Sequence, residues 1–446
     1  MSLRKNEIYR YIFLLILTFM VIFNGGNNNL YIQFNFIIVA IFFLLFIKEK
    51  NYLAHAKNIF LKNKISINLY ILFIIFLIFQ IMPLPIEWLN FLSPEKYNIL
   101  NKLEYKNNLS SISLDPANSF FSLLNYLTLF LYLIIFKSLF FRKKNIFEFY
   151  YFLVLIGAFA ASVAIYFYLI GNPDFWIINN STKKAATGFF INRTVFSCFL
   201  TLCFLSGIEY LKMIDRHIKN DTDNFYKKVY IRIFLLLMTI GIVTSFSRLG
   251  NFLFISLITL HILQAFFTKD KKSKFLLITL VFILLFDVMV LGFYFGSEKL
   301  LQRYSFLQNE INEYSPFLND ISLTRGGIVK FGFIEIKKFI FFGYGSGSFE
   351  YLFKINFENL STTYASHAHS DLIEFFGEFG LIGFSLILLS LLFSCLKKDF
   401  FSFKNFLLLY LLIFIFIFDF SFHIPLIQFL FILLFSINYK QINSLK

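Results

Sequence analysis

Residues 366–383, reading SHAHSDLIEFFGEFGLIG, carry the side chains best placed to do chemistry. Two of the six histidines, His367 and His369, stand here beside Asp371, Glu374 and Glu378. Histidine exchanges protons near neutral pH, so an imidazole beside a carboxylate is a candidate general base. On a helix starting near Asp371 the three carboxylates share a face by i+3 and i+4 spacing. Gly377, Gly380 and Gly383, three apart, suit close helix contact in a membrane. The plain alternative is a pair of exposed loop histidines and an acidic first turn that complements the helix dipole.

Other stretches offer cations and backbone amides. Thr244-Ser-Phe-Ser-Arg248 lies at the end of an apolar run. Its arginine either snorkels to the membrane surface or binds a phosphate through paired hydrogen bonds. Thr324-Arg325-Gly-Gly precedes Phe342-Gly-Tyr-Gly-Ser-Gly-Ser348. There Gly345 and Gly347 would let the backbone approach a ligand and form an amide nest for anions, unless the segment is only a flexible turn. No strand–helix unit surrounds these glycines, so they are not a dinucleotide fingerprint. Gly188-Phe-Phe-Ile-Asn-Arg193 opens another apolar run with a cation, and Arg303 precedes Arg325 in a polar stretch. Asp221-Thr-Asp223 has the spacing of the nucleotide-sugar transferases' DxD, but its loop is too short for such a domain. Asp287, inside an apolar run, is a functional candidate by default, with Arg193 or Arg248 able to serve as its partner.

The elements that must hold these residues are membrane helices. The chain has 446 residues, 58% hydrophobic and 15% charged, with a mean hydropathy of +0.71. A soluble protein of this size carries more charge and does not string together apolar runs of this length. Runs able to span lie near 9–25, 30–47, 66–85, 118–137, 147–170, 189–210, 229–246, 249–267, 275–296, 378–396, 404–420 and 422–438. That predicts an all-α integral membrane protein of about twelve transmembrane helices. The runs lack the alternation of a membrane β-barrel. The N-terminus resembles a signal peptide without a small-residue cleavage site, and reads as a retained first helix. Cys198, Cys203 and Cys395 have no CxxC spacing and read as buried small hydrophobes, so neither a zinc site nor a disulfide framework is visible.

Lysine and arginine in the loops set the orientation. Basic residues cluster at 48–64, 137–144, 211–232, 269–274 and 397–404, all on one side if both termini are cytoplasmic. The net charge of +15 therefore reads as topology and not as a nucleic-acid patch. The opposite side receives connections near 86–117, 171–188 and 297–377, the last much the longest. The organisation expected is nine spans over 1–296, a large outer loop over 297–377 and three spans over 378–446. Within the loop, residues 328–342 suit a helix lying along the membrane surface. Residues Arg325, Gly345, Gly347, His367 and His369 then stand outside the cytoplasm. No compact carboxylate cluster for a metal is visible on that side.

Taken together the motifs resemble the bacterial O-antigen ligase/polymerase family. His369-Ser370, nine residues, Gly380, two residues and Gly383 fit the ligases' histidine signature. Ser245-Phe-Ser-Arg248 is similar to the family's SxSR at a span end. Arg325, a short surface helix and Gly343-x-Gly-x-Gly347-x-Phe349 resemble its outer-loop pattern. Gly188-x-Phe-x-Asn192 and Ile112-Ser-Leu-Asp-Pro116 are similar as well. The resemblance runs over roughly 80–438, with the ligase-like region at about 188–390. Phe341-Phe342 stands where the family often has proline, and Ser370 where it often has asparagine.

The resemblance implies a glycosyltransferase of the bacterial inner membrane. Such an enzyme moves a glycan from a polyprenyl-diphosphate carrier to an acceptor hydroxyl on the outer face. It implies His369 as base, with Arg248 and Arg325 stabilising the leaving diphosphate in place of a metal or other cofactor. Glu374 or Glu378 would orient the base. Arg193, Arg303, Gly345, Gly347 and His367 would contact substrate. Inversion at the anomeric carbon is expected. The partners implied are the lipid-linked glycan, lipid A–core or another glycan acceptor, and membrane lipid, with no nucleic acid. The histidine spacing tilts the reading toward ligation to lipid A–core, with O-antigen polymerisation and protein O-glycosylation as alternatives. A lipid-linked-sugar transporter is the rival of a different class. It should show paired repeats and broken helices, and the sequence shows neither.

Overall fold

The computed structural model describes residues 2–105, 107–173, 185–217, 222–267, 278–283, 285–286, 289, 324–357, 364–395 and 402–437. The protein is all-α. Its described helices are α1 (Ser2–Ile22), α2 (Asn29–Ile47), α3 (Lys50–Lys62), α4 (Lys64–Ile81), α5 (Ile86–Leu92), α6 (Pro94–Lys102), α7 (Pro116–Leu139) and α8 (Lys143–Leu169). There follow α9 (Arg193–His217), α10 (Thr222–Thr244), α11 (Arg248–Phe267), α12 (Arg325–Ile336), α13 (Phe349–Asn356), α14 (Asp371–Cys395), α15 (Phe403–Phe418) and α16 (Pro425–Ser436). Leu84–Pro85 and Leu109–Ser110 pair as a short antiparallel ribbon between α4 and α7.

Seven of the described helices are long and apolar enough to cross a membrane: α2, α4, α7, α8, α9, α11 and α14. This is a multi-pass membrane protein. On α2, Leu30, Phe34, Ile37, Ile41 and Leu44 all face outward, as lipid contact allows and water does not. Helix α9 is its opposite, enclosed along its whole apolar length. Glycine makes that enclosure possible. A Cβ on Gly157 of α8 would lie 2.6 Å from Cys203 Cβ, and one on Gly207 2.7 Å from a Leu235 methyl. Helices α8, α9 and α10 therefore approach one another closely.

Each expected span has helix at its place, 275–296 through its helical residues 278–283. Most of that run, Asp287 included, lies outside the described residues, as does Arg303. The last two expected spans are shorter than read. Helix α15 has 16 residues and α16 only 12. Twelve residues rise about 18 Å, against a hydrocarbon core of about 30 Å. Helix α16 is instead buried among its neighbours, with nine of its residues enclosed. Its C-terminal carbonyls are satisfied by Lys404, whose Nζ donates to Leu434 O at 2.6 Å and Ile437 O at 2.8 Å. A 3-10 turn, Ser421–His423, joins α15 to α16, and Pro425 starts the latter with its fixed φ.

The absence of a broken helix is a reading the structure overturns. Gly380 interrupts α14 with φ 61 and ψ −174, a conformation open in practice only to glycine. Backbone groups freed inside a membrane need partners. Residues 340–345 run alongside and supply them. Leu381 N donates to Ile340 O at 2.7 Å, and Tyr344 N donates to Gly377 O at 2.9 Å. The fully buried Gln80 completes the repair, its Nε2 donating to Phe342 O at 2.7 Å and Glu378 O at 2.8 Å. The helix expected over 328–342 is α12, which stops at Ile336. It buries Ile328, Phe331 and Glu335 and packs on α14.

Candidate functional site

Helix α14 supplies the centre of the site. Its first turns project Asp371, Glu374 and Glu378 to one side, as their spacing requires, and each is at most 1% exposed. Carboxylates so enclosed need partners. The partner is His423, delivered by the turn between α15 and α16. His423 Nδ1 hydrogen-bonds Asp371 Oδ1, and Nε2 lies 3.5 Å from both Glu374 Oε1 and Glu378 Oε2. Its ring stacks on Phe375 at 3.9 Å. Burial works against a charged imidazole there, but Glu374, Asp371 and Glu378 outweigh it and hold His423 well above the ordinary histidine range.

The turn is fastened to α14 by more than the histidine. Asp371 N donates to Asp419 O at 2.9 Å, and Phe422 N donates to Asp371 Oδ2 at 2.8 Å. The Ser421 hydroxyl donates to Asp419 Oδ2. Burial raises the Asp419 carboxyl above its usual range, while Ser421, Arg325, the Phe420 amide and His367 pull it back. Arg325, the first residue of α12, is thus within electrostatic reach of this turn. Its helix is started by Thr324, whose hydroxyl accepts Gly327 N at 3.3 Å.

The two signature histidines differ in setting. Glu374 divides its oxygens between His367 Nδ1, at 2.9 Å, and the Ala368 amide, at 2.7 Å. His367 stacks on Phe420 at 4.5 Å, and its side chain remains 21% exposed. His369 meets the edge of the same ring at 5.3 Å and has φ 57. Left-handed backbone is uncommon outside glycine and concentrates at functional sites. Of the two carboxylates expected to orient the base, Glu374 is bonded to His367. Glu378 gives Oε1 to Gly347 N at 2.7 Å.

That last bond fixes the glycine segment. Gly345 N donates to Glu378 O at 3.2 Å, so the amides of Gly345 and Gly347 both point at Glu378. The segment is further tied to 111–119. Ser119 Oγ donates to Ser346 O at 2.7 Å, and Leu114 N to Tyr344 O at 2.9 Å.

Arg193 and Arg248 begin α9 and α11. The two starts are joined by Ser247 Oγ, which donates to Thr194 Oγ1 at 3.1 Å. Phe246, in the turn before Arg248, has φ 50, an outlier for a bulky side chain. Helix α9 also touches the Ser421–His423 turn. The structure therefore gathers His367, Asp371, Glu374, Glu378 and His423 directly. Arg325 reaches the same turn electrostatically, and the Arg193–Arg248 pair is tied to it through α9.

Residues 233–388 match the family model described as O-antigen ligase. This region is similar to the O-antigen ligase family. The O-antigen ligase-like segment contains Arg248, Arg325, His367, His369, Glu374 and Glu378, whereas Arg193 and His423 lie outside it. A search of curated proteins gives no match.

One correction bears on metal chemistry. The sequence shows no compact carboxylate cluster, but folding makes one by laying His423 over the acidic face of α14. His367, Glu374 and His423 place donor atoms within 4.8 Å of one another, near enough to share a metal ion. Both His423 and Asp419 escape the sequence reading. The signal that could have found them is the polar alternation Asp419-Phe-Ser421-Phe-His423, which interrupts an otherwise apolar run.

Proposed function

We propose that this protein is a membrane glycosyltransferase that moves a glycan from a polyprenyl-diphosphate carrier to an acceptor hydroxyl, most specifically lipid A–core. The observation that carries the proposal is the histidine–carboxylate group at the start of α14, inside the O-antigen ligase-like segment and packed on the turn whose Asp419 feels Arg325. The site would open on the outer face of the bacterial inner membrane, with both termini in the cytoplasm.

His369 accepts the proton of the acceptor hydroxyl as its oxygen attacks the anomeric carbon. The bond from that carbon to the diphosphate oxygen breaks, the lipid diphosphate leaves, and configuration inverts. Arg248 and Arg325, permanently charged and able to make paired hydrogen bonds, meet the negative charge that develops on the leaving group. The reaction as proposed draws on no metal ion at the diphosphate. His367, fixed by Glu374, lies on the exposed side of the group and contacts the acceptor. Arg193 and Arg303 contact the carrier's phosphates, and Gly345 and Gly347 act through Glu378.

Purified protein given lipid-linked glycan and acceptor should form product. His369→Ala and Arg325→Ala should each lower the rate by roughly 10²–10⁴-fold while inserting normally. Full transfer by both variants overturns the assignment. In cells lacking the protein, carrier-linked polymer should accumulate with none on the core. A single repeat on the core would mean polymerisation instead, and unchanged lipopolysaccharide with an unglycosylated protein would mean protein O-glycosylation. Movement of the carrier without transfer would mean a transporter.

A further inference from the structure

We propose that His367 Nδ1, Glu374 Oε1, His423 Nε2 and Glu378 Oε2 form a binding site for one divalent cation of the zinc class. The two separations at His423 are those of co-ligands, and the Glu374–His367 hydrogen bond is the contact the ion would replace. Donors around a tetrahedral zinc at about 2.0–2.1 Å stand roughly 3.3 Å apart. The 3.5 Å separations exceed an ordinary N–H···O bond of about 2.9–3.0 Å. His423 Nε2 is correspondingly a buried nitrogen that no hydrogen bond satisfies.

What distinguishes the group from a chance collection of acids is the arrangement behind it. Three of the four donors have their outward atom held. Asp371 holds His423 Nδ1, the Ala368 amide holds Glu374 Oε2 at 2.7 Å, and the Gly347 amide holds Glu378 Oε1 at 2.7 Å. A carboxylate behind an imidazole fixes the tautomer whose other nitrogen offers a lone pair, the arrangement seen behind metal-binding histidines. Phe375 and Phe420 lie flat against the rings of His423 and His367. Two imidazoles with two carboxylates suit zinc, whereas magnesium and calcium favour oxygen donors alone. Three buried carboxylates also call for positive charge, which a divalent ion supplies in place of a proton on His423. The rim is His367, whose side chain is 21% exposed, while the Glu374 and Glu378 side chains beneath it are buried.

The ion would sit beside the proposed diphosphate site and not on it. It would clasp the loop carrying His369, the start of α14 and the 421–423 turn. The site stands on this geometry and does not depend on the transfer reading. The test is direct. Full-length, tag-free protein in detergent is stripped with a chelator, then titrated with zinc chloride alone, using magnesium chloride as a control. Calorimetry and elemental analysis should show one equivalent of zinc bound at micromolar concentration or tighter, and no magnesium. Glu374→Gln and His423→Gln should abolish it. Because either change is buried and can unfold the chain, His367→Gln on the rim decides the matter. An affinity loss of tenfold or more, with the metal-free melting temperature unchanged, supports the site. Absence of stoichiometric zinc in the native protein, or undiminished affinity in His367→Gln, overturns it.

Discussion

Glu378 accepts the Gly347 amide through its side chain at 2.7 Å and the Gly345 amide through its carbonyl at 3.2 Å. One residue of a membrane helix thus organises a loop thirty residues earlier in the chain. The carboxylate and the peptide carbonyl do different jobs. The carbonyl is freed by the break at Gly380, and the side chain faces His423 with its other oxygen.

The break itself is testable. A Cβ at Gly380 would stand 2.5 Å from both Gly343 N and Phe341 O, on backbone whose φ of 61 already disfavours it. Gly380→Ala should destabilise by at least about 2 kcal/mol. A Cβ at Gly377 meets the Tyr344 ring first, 2.5 Å away. Gly377→Ala should cost less, because a side chain yields where backbone does not. Thermal unfolding in detergent ranks the two, and equal stability would count against the described break.

Glu378 can be dissected by graded substitution. Glu378→Gln keeps an acceptor for Gly347 but exchanges a charged hydrogen bond for a neutral one, a difference of about 1 kcal/mol. Glu378→Ala leaves the Gly347 amide unsatisfied, at about 1–3 kcal/mol. Melting temperatures should therefore fall in the order native, Gln, Ala, with Ala alone loosening residues 343–348 in hydrogen exchange.

Lys96 gives a pH signature. It is 5% exposed and donates to Ser113 O and, at 3.3 Å, to Ser111 Oγ. Burial lowers its pKa from 10.5 to about 8. Below pH 8 both folded and unfolded states hold the proton, and the folded state bears the whole cost of enclosing the charge. Between pH 8 and 10.5 the unfolded state binds more protons, so stability rises with pH. The melting difference between native protein and Lys96→Met should shift in the native protein's favour across that window and stay level outside it.

Lys404 should prove structural. Its two bonds to Leu434 O and Ile437 O close the end of α16 in a buried setting. Lys404→Met leaves both carbonyls without that donor and should cost about 2–4 kcal/mol. Retained stability in denaturant or heat would show that another donor replaces it.

Legibility in the sequence follows from the range of the forces involved. Apolar length and basic loops are local properties, so the helices from 9–25 to 249–267 and the acidic face of α14 are readable from residues alone. The surface helix was expected over 328–342 and begins instead at Arg325, a start that Thr324 could have announced as a cap. The break at Gly380 was hidden because its compensation comes from Gln80 and 340–345, far away in sequence. His423 was hidden for a similar reason. Its meaning lies in three carboxylates some fifty residues earlier, and its own neighbourhood is a greasy run. Gly345 and Gly347 looked like ligand-facing amides because nothing nearby in the chain names Glu378 as their acceptor.

The repair of α14 by residues 340–345 has a practical consequence for anyone building hybrids of such proteins. Two stretches that look separable, a loop and a membrane helix, share one set of peptide bonds' worth of partners. Grafting a foreign loop over 324–357 would leave Leu381, Gly377 and Glu378 facing mismatched backbone. Chimeras that exchange 340–348 together with 371–383 should assemble, and those that exchange either alone should be lost to quality control before their specificity can be assayed.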